Sequence, residues 1–149
     1  MKKIALIFCL TLAANVACAQ ESMEKIMESR AREMYRVISL DEPESWKKFI
    51  KENYTKALID KPMRSQVEGG GSAAGSATSQ THEGNIEGKA SMYRMLHNDL
   101  GGGKISTIKI TGEKVDMVVN SSGTVGTISL KFSKEKPYLI DGLGVELGN

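Results

Sequence analysis

Cysteine is confined to the start of this sequence. Only Cys9 and Cys18 occur, so the remainder has no thiol for a disulfide, a nucleophile or a cysteine zinc site. Histidine is as scarce, with His82 and His97 alone. One imidazole without a second ligand nearby is poor material for a metal centre, so no metal and no cofactor is expected. Aromatic residues make up 5% of the chain. A basic surplus is missing as well. Without Lys2 and Lys3 the 20 basic residues become 18, equal to the 18 acidic ones. A chain of zero net charge offers no general phosphate-neutralising surface, which argues against nucleic acid as a partner.

Catalytic motifs are also lacking. Ser45-Trp46-Lys47-Lys48 and Ser106-Thr107-Ile108-Lys109 have Ser-x-x-Lys spacing. The first has no companion motif, and the second falls in a strand pattern, where positions three apart face opposite sides. Gly101-Gly102-Gly103-Lys104 lacks the first glycine of a phosphate loop and has Ile105 where a hydroxyl should meet the metal.

What is present starts with a leader pattern. Met1-Lys2-Lys3 precedes an apolar run from Ile4 to Ala14, followed by Val16-Ala17-Cys18-Ala19. A charged start, a short apolar stretch and an A-x-A-like site read as a signal peptide over residues 1–19. The run is too short to span a bilayer comfortably. Residues 20–149 then form a single domain, exported to the periplasm or outside a bacterial cell. Val16-Ala17-Cys18 also resembles a lipobox, with Asn15 at the usual leucine position, so anchoring through Cys18 is the alternative.

Periodicity divides the rest. Met23, Ile26, Met27, Ala31, Met34, Val37 and Ile38 recur at helical spacing and predict a helix from Ser22 to about Leu40. Asp41-Glu42-Pro43-Glu44 reads as the start of a second helix, capped by Asp41. It carries Trp46, Phe49, Ile50 and Tyr54 opposite Lys47, Lys48 and Lys51. Asp60-Lys61-Pro62 reads as another helix start. A Gly/Ser-rich stretch follows, and residues 69–88 read as a flexible loop that includes His82. Helical spacing resumes from Lys89 to Leu100 and ends at Gly101-Gly102-Gly103.

The last third is strand-like. KISTIKI, KVDMVVN, TVGTISLKF and YLIDGLGVEL alternate with period two and are separated by turn residues. Ile128, Leu130 and Phe132 share one face; Val115, Met117 and Val119 share another strand's inner face. Connections this short join antiparallel neighbours. Helices followed by strands predict an α+β fold. Its N-terminal helices pack on one face of a curved, cone-like four-stranded antiparallel sheet.

Few residues offer chemistry. Asp116 and Asp141 lie in strands, and a carboxylate on the concave face could have a raised pKa and act as a base. Tyr93 and Tyr138 are the polar partners that such a cavity would use. The pattern leaves Asp116's side open, because it alternates with Val115 and Met117 yet shares its face with Val118. Trp46 reads as a core anchor, with ligand stacking at a cavity mouth as the other reading. The Met-rich stripe of the first helix reads as core, with an adaptable binding surface as the other reading.

The layout resembles the nuclear-transport-factor-2-like, or cystatin-like, cone of SnoaL-type and ketosteroid-isomerase-like proteins. More narrowly, it resembles the small domain found beside bacterial β-lactamase-type serine hydrolases. The residues that carry this are Ala31 to Ile38 leading into Leu40-Asp41-Glu42-Pro43, Trp46 to Tyr54, Met92 to Leu100 with Gly101-Gly102, and Pro137 to Glu146. The resemblance implies a curled sheet wrapped by helices, often with a cavity and often a homodimer through the sheet. It supplies no catalytic residues. The expected function is an exported, non-catalytic domain that binds a small apolar ligand or an envelope protein. The alternatives are a small cavity enzyme of isomerase or hydratase type with an Asp base, and an accessory module for a separate serine hydrolase.

Overall fold

The computed structural model describes residues 23–61 and 81–148. They form four helices packed against an open four-stranded antiparallel sheet, an α+β fold as the sequence predicts. The helices are α1 (residues 23–39), α2 (Pro43–Asn53), α3 (Lys56–Asp60) and α4 (His82–Leu100). The strands are β1 (Lys104–Thr111), β2 (Lys114–Ser121), β3 (Thr124–Phe132) and β4 (Ile140–Gly148), in the spatial order β1-β2-β3-β4.

Alternation sets the register of the meander. Val115 pairs with Leu130 and Met117 with Ile128. All four are buried, together with Val119 and Phe132, on the face that meets the helices. A one-residue slip would turn this whole set to water, so the register is strongly specified. Asp116, Val118 and Asn120 face the other way, paired with Ser129, Thr127 and Val125. Two-residue turns link the first three strands, with Gly112 at φ 58 and Gly123 at φ 88. Positive φ suits the twist of such hairpins and costs glycine little.

The helices bury one stripe each. Met27, Ala31, Met34, Val37 and Ile38 of α1 are in the core. The methionines Met27 and Met34 therefore fill the interior rather than form a binding surface. Trp46 is fully buried, and its indole N–H donates to the carbonyls of both Val37 and Leu40 at 2.9 Å. This ties α2 to the end of α1 and rules out ligand stacking on Trp46. Arg30 spans three elements, donating to Asn53 Oδ1 at 3.0 Å and to Pro137 O at 2.9 Å.

Local expectations need correction in two places. The N-cap of α2 is Glu42, not Asp41, and no side chain caps it. Asp60 ends α3 and Lys61 is its C-cap, while Thr55 caps the start by accepting from Leu58 N; the helix expected to follow Asp60-Lys61-Pro62 lies outside the described residues. The loop expected over residues 69–88 is contradicted at its end. Helix α4 begins at His82, and Thr81 caps it by accepting from Gly84 N at 3.1 Å. Residues 69–80 of that expectation, and the leader with Cys9 and Cys18, lie outside the described residues.

Helix α4 starts this early because its first turns have partners. Glu83 pairs with Lys51 and Glu87 with Lys47, both from α2. Asn85 and Lys89 turn inward against α3. Such tertiary contacts outweigh the low helix propensity of Gly84, Asn85 and Gly88.

Candidate groove between α4 and β4

Helix α3 is short, and its last carbonyls need partners. Helix α4 supplies them. Lys89 Nζ donates to Ile59 O at 2.9 Å and to Lys61 O at 2.8 Å, and Asn85 Nδ2 donates to Asp60 O at 3.3 Å. A cation at a helix C-terminus is also favoured by the helix dipole. Lys89 is only 2% exposed. Burial pushes its ammonium below the ordinary lysine value, and the Asp60 carboxylate opposes this in part. One acceptor is left over: Asn85 Oδ1 is buried and has no hydrogen-bond partner.

Lys89 also lines a groove of about 820 Å³ between α4 and β4. Leu58, Met92, Met95, Leu96, Leu143, Val145 and Leu147 give it apolar walls. Lys61, Lys89, Asp99 and Asp141 supply its charges. The walls are incompletely covered, with Met95 65% and Leu147 50% exposed. A smaller cleft of about 430 Å³ lies over α1 at Lys25, Ile26, Ser29, Arg30, Glu33 and Asn53, and is far more open.

Tyr54 also lines the groove. Its hydroxyl meets that of Tyr93 at 2.9 Å, and both rings are buried. Burial pushes both phenols well above their ordinary values, so neither ionises near neutrality.

The sequence-predicted site residues are dispersed. Asp141 lines the groove, but it is exposed and accepts from Thr55 Oγ1 at 2.9 Å. Asp116 is half-buried on the opposite face of the sheet, where it accepts from Ser129 Oγ at 2.7 Å. Tyr93 sits in the core behind Tyr54. Tyr138 is in the β3–β4 loop, half-buried, with φ 54 and its N–H donating to Glu135 O at 2.8 Å. The structure thus brings Asp141 near Tyr54 and leaves Asp116 and Tyr138 elsewhere.

Sequence reasoning missed Lys89, Lys61, Tyr54 and Met95 as groove residues. Lys89 did leave a signal. It falls on the stripe formed by Ile86, Tyr93, Leu96 and Leu100, where a charged residue is out of place.

His82 joins Asp60 and Lys56 in an exposed cluster, with its Nδ1 2.8 Å from Asp60 Oδ1. His97 Nδ1 lies 2.8 Å from Ile38 O, with its ring against Trp46. Among the described residues no group of three or more His, Cys, Asp or Glu gathers to hold a metal ion. No helix among them is long and apolar enough to cross a membrane. Comparison with family models, with curated proteins and with solved structures returned no match.

Proposed function

We propose that this chain is an exported binding domain with no chemistry of its own, and that the α4–β4 groove is where it binds. One observation carries the reading: an apolar groove of about 820 Å³ whose wall residues Met95 and Leu147 are left 65% and 50% exposed. Concave apolar surface with a few fixed polar groups is the usual form of a binding site. Methionine at its rim adapts to differently shaped occupants.

The dispersal of the acid–base candidates supports binding over catalysis. A general base needs a partner and a substrate within hydrogen-bond reach, and Asp116 and Tyr138 stand away from the groove. Export rests on the pattern of Lys2, Lys3, the run Ile4 to Ala14 and Ala17-Cys18-Ala19.

Native mass spectrometry of the mature protein, purified gently from its own host, tests this reading together with binding of an apolar fluorescent dye. A retained apolar molecule or peptide is expected, or dye binding that Met95→Glu and Leu147→Glu abolish. An empty protein whose dye binding ignores both substitutions would sink the reading.

A further inference from the structure

The groove reading leaves its occupant unnamed, and the charges along the groove bear on that. Two lysines and two carboxylates line it, so the groove does not select a partner of one sign. One of each is engaged within the chain. Lys89 donates to the carbonyls of Ile59 and Lys61, and Asp141 accepts from Thr55 Oγ1. The other two, Lys61 and Asp99, are exposed, and their side chains have no hydrogen-bond or ion-pair partner among the described residues.

The fold puts Lys61 and Asp99 at opposite ends of the groove. Lys89 Nζ binds the carbonyl of Lys61. Asp99 follows Lys89 by ten residues on the same helix, about 15 Å of helical rise. Beside Asp99, Leu100 lies against Gly126, and Gly126 pairs with Leu147 of β4. The Lys61 end therefore carries Leu58 of α3, and the Asp99 end carries Leu147. Met95 lies between the two ends and is 65% exposed.

A surface with a cation at one end, an anion at the other and apolar side chains between them is complementary to itself. A two-fold axis brings residue i against j and j against i. With the axis near Met95 and the two α4 helices antiparallel, each Lys61 would meet an Asp99 and each Leu58 a Leu147, while the two Met95 side chains would meet each other. Burial of the apolar side chains drives such an association, and the charges at the ends fix its orientation. The outer face of the sheet lacks this self-complementarity. Lys114 stands directly opposite Lys131 there, a like-charge pair that a second copy would repeat.

We infer, resting on the groove reading above, that the occupant is a second copy of this chain. The two copies dock antiparallel across their α4–β4 grooves, with Lys61 of each protomer against Asp99 of the other.

Sedimentation velocity over a concentration series measures the self-association, and thermal unfolding of each variant checks that it folds. The unaltered protein should dimerise. Met95→Glu sets two like charges at the axis and should leave a monomer. Lys61→Glu and Asp99→Lys should each weaken the dimer about tenfold, because both symmetric contacts become repulsive. Mixing these two variants should restore the dimer, since each copy then meets the opposite charge at both ends. The double variant Lys61→Glu/Asp99→Lys should restore it for the same reason. A mixture no stronger than its components would overturn the inference, as would a dimer indifferent to Met95→Glu. If the protein is monomeric but binds an apolar dye, and Met95→Glu abolishes that binding, self-docking fails and the groove reading stands. If neither a dye nor a second copy engages the groove, both fail.

Discussion

The hydroxyls of Tyr54 and Tyr93 lie 2.9 Å apart inside the protein, each the other's partner. Tyr54 ends α2 and bridges to β4, while Tyr93 is midway along α4. One polar contact in the core therefore holds α2 and α4 together beneath the groove. Removing one hydroxyl leaves the other buried and unsatisfied. Tyr54→Phe or Tyr93→Phe alone should each cost about 1–3 kcal/mol, while the double variant should cost less than the two singles summed. Urea unfolding of the four proteins measures the cycle. Additive costs would show that the hydroxyls do not depend on each other.

Helix α4 meets the sheet through a gap that only glycine leaves. A Cβ at Gly126 would sit 2.5 Å from Leu100 Cδ1. Leu100 is fully buried, so its side chain has nowhere to retreat. Gly126→Ala should destabilise by about 1–3 kcal/mol through overpacking. Leu100→Ala should recover part of that cost in the double variant and cost about 2–5 kcal/mol alone. Denaturant midpoints decide it; an unchanged midpoint for Gly126→Ala would mean the helix shifts freely.

Met95 separates binding from stability. It is 65% exposed on the groove wall. Met95→Glu should change stability by no more than about 0.5 kcal/mol, as for most surface substitutions. The same change should weaken any groove ligand, because a charge would be desolvated against an apolar occupant. Thermal unfolding and dye binding on one sample test both halves.

Acid should loosen the contacts of α4 with α2 and α3. Asp60 is held below its ordinary value of 3.8 by Lys56 and then by His82, and Glu83 below 4.5 chiefly by Lys51. A carboxyl whose folded value is depressed contributes stability above its unfolded value. That contribution is lost as pH falls through the folded value. Urea midpoints should therefore decline below about pH 4, and Asp60→Asn should flatten the decline. Because both carboxylates are at the surface, the effect should shrink in high salt.

The sheet and the groove differed in how readily the sequence disclosed them. Alternation in Val115-Asp116-Met117-Val118-Val119 and in Ile128-Ser129-Leu130 reports burial directly, since one face of a strand is buried and the other is wet. The turns at Gly112 and Gly123 were legible because their backbone demands glycine. The start of α4 was not. Gly84, Asn85 and Gly88 read as loop, and the helix forms there through contacts with α2 and α3 that no local pattern records.

The candidate site divides in the same way. The sequence by itself determined the α+β class, the four-strand meander and the inward faces, because these follow from the spacing of apolar residues along the chain. Only the tertiary structure decided that Trp46 is core, that Asp116 and Asp141 lie on different sides of the sheet, and that Lys89 is buried. A lysine in a helix is solvated by default. Lys89 is an exception because α3 ends against α4 and presents bare carbonyls. The neighbours of β4 are a tertiary fact too: among the described residues it pairs with β3 and, at Ile140 alone, with Tyr54, after which the chain turns into α3.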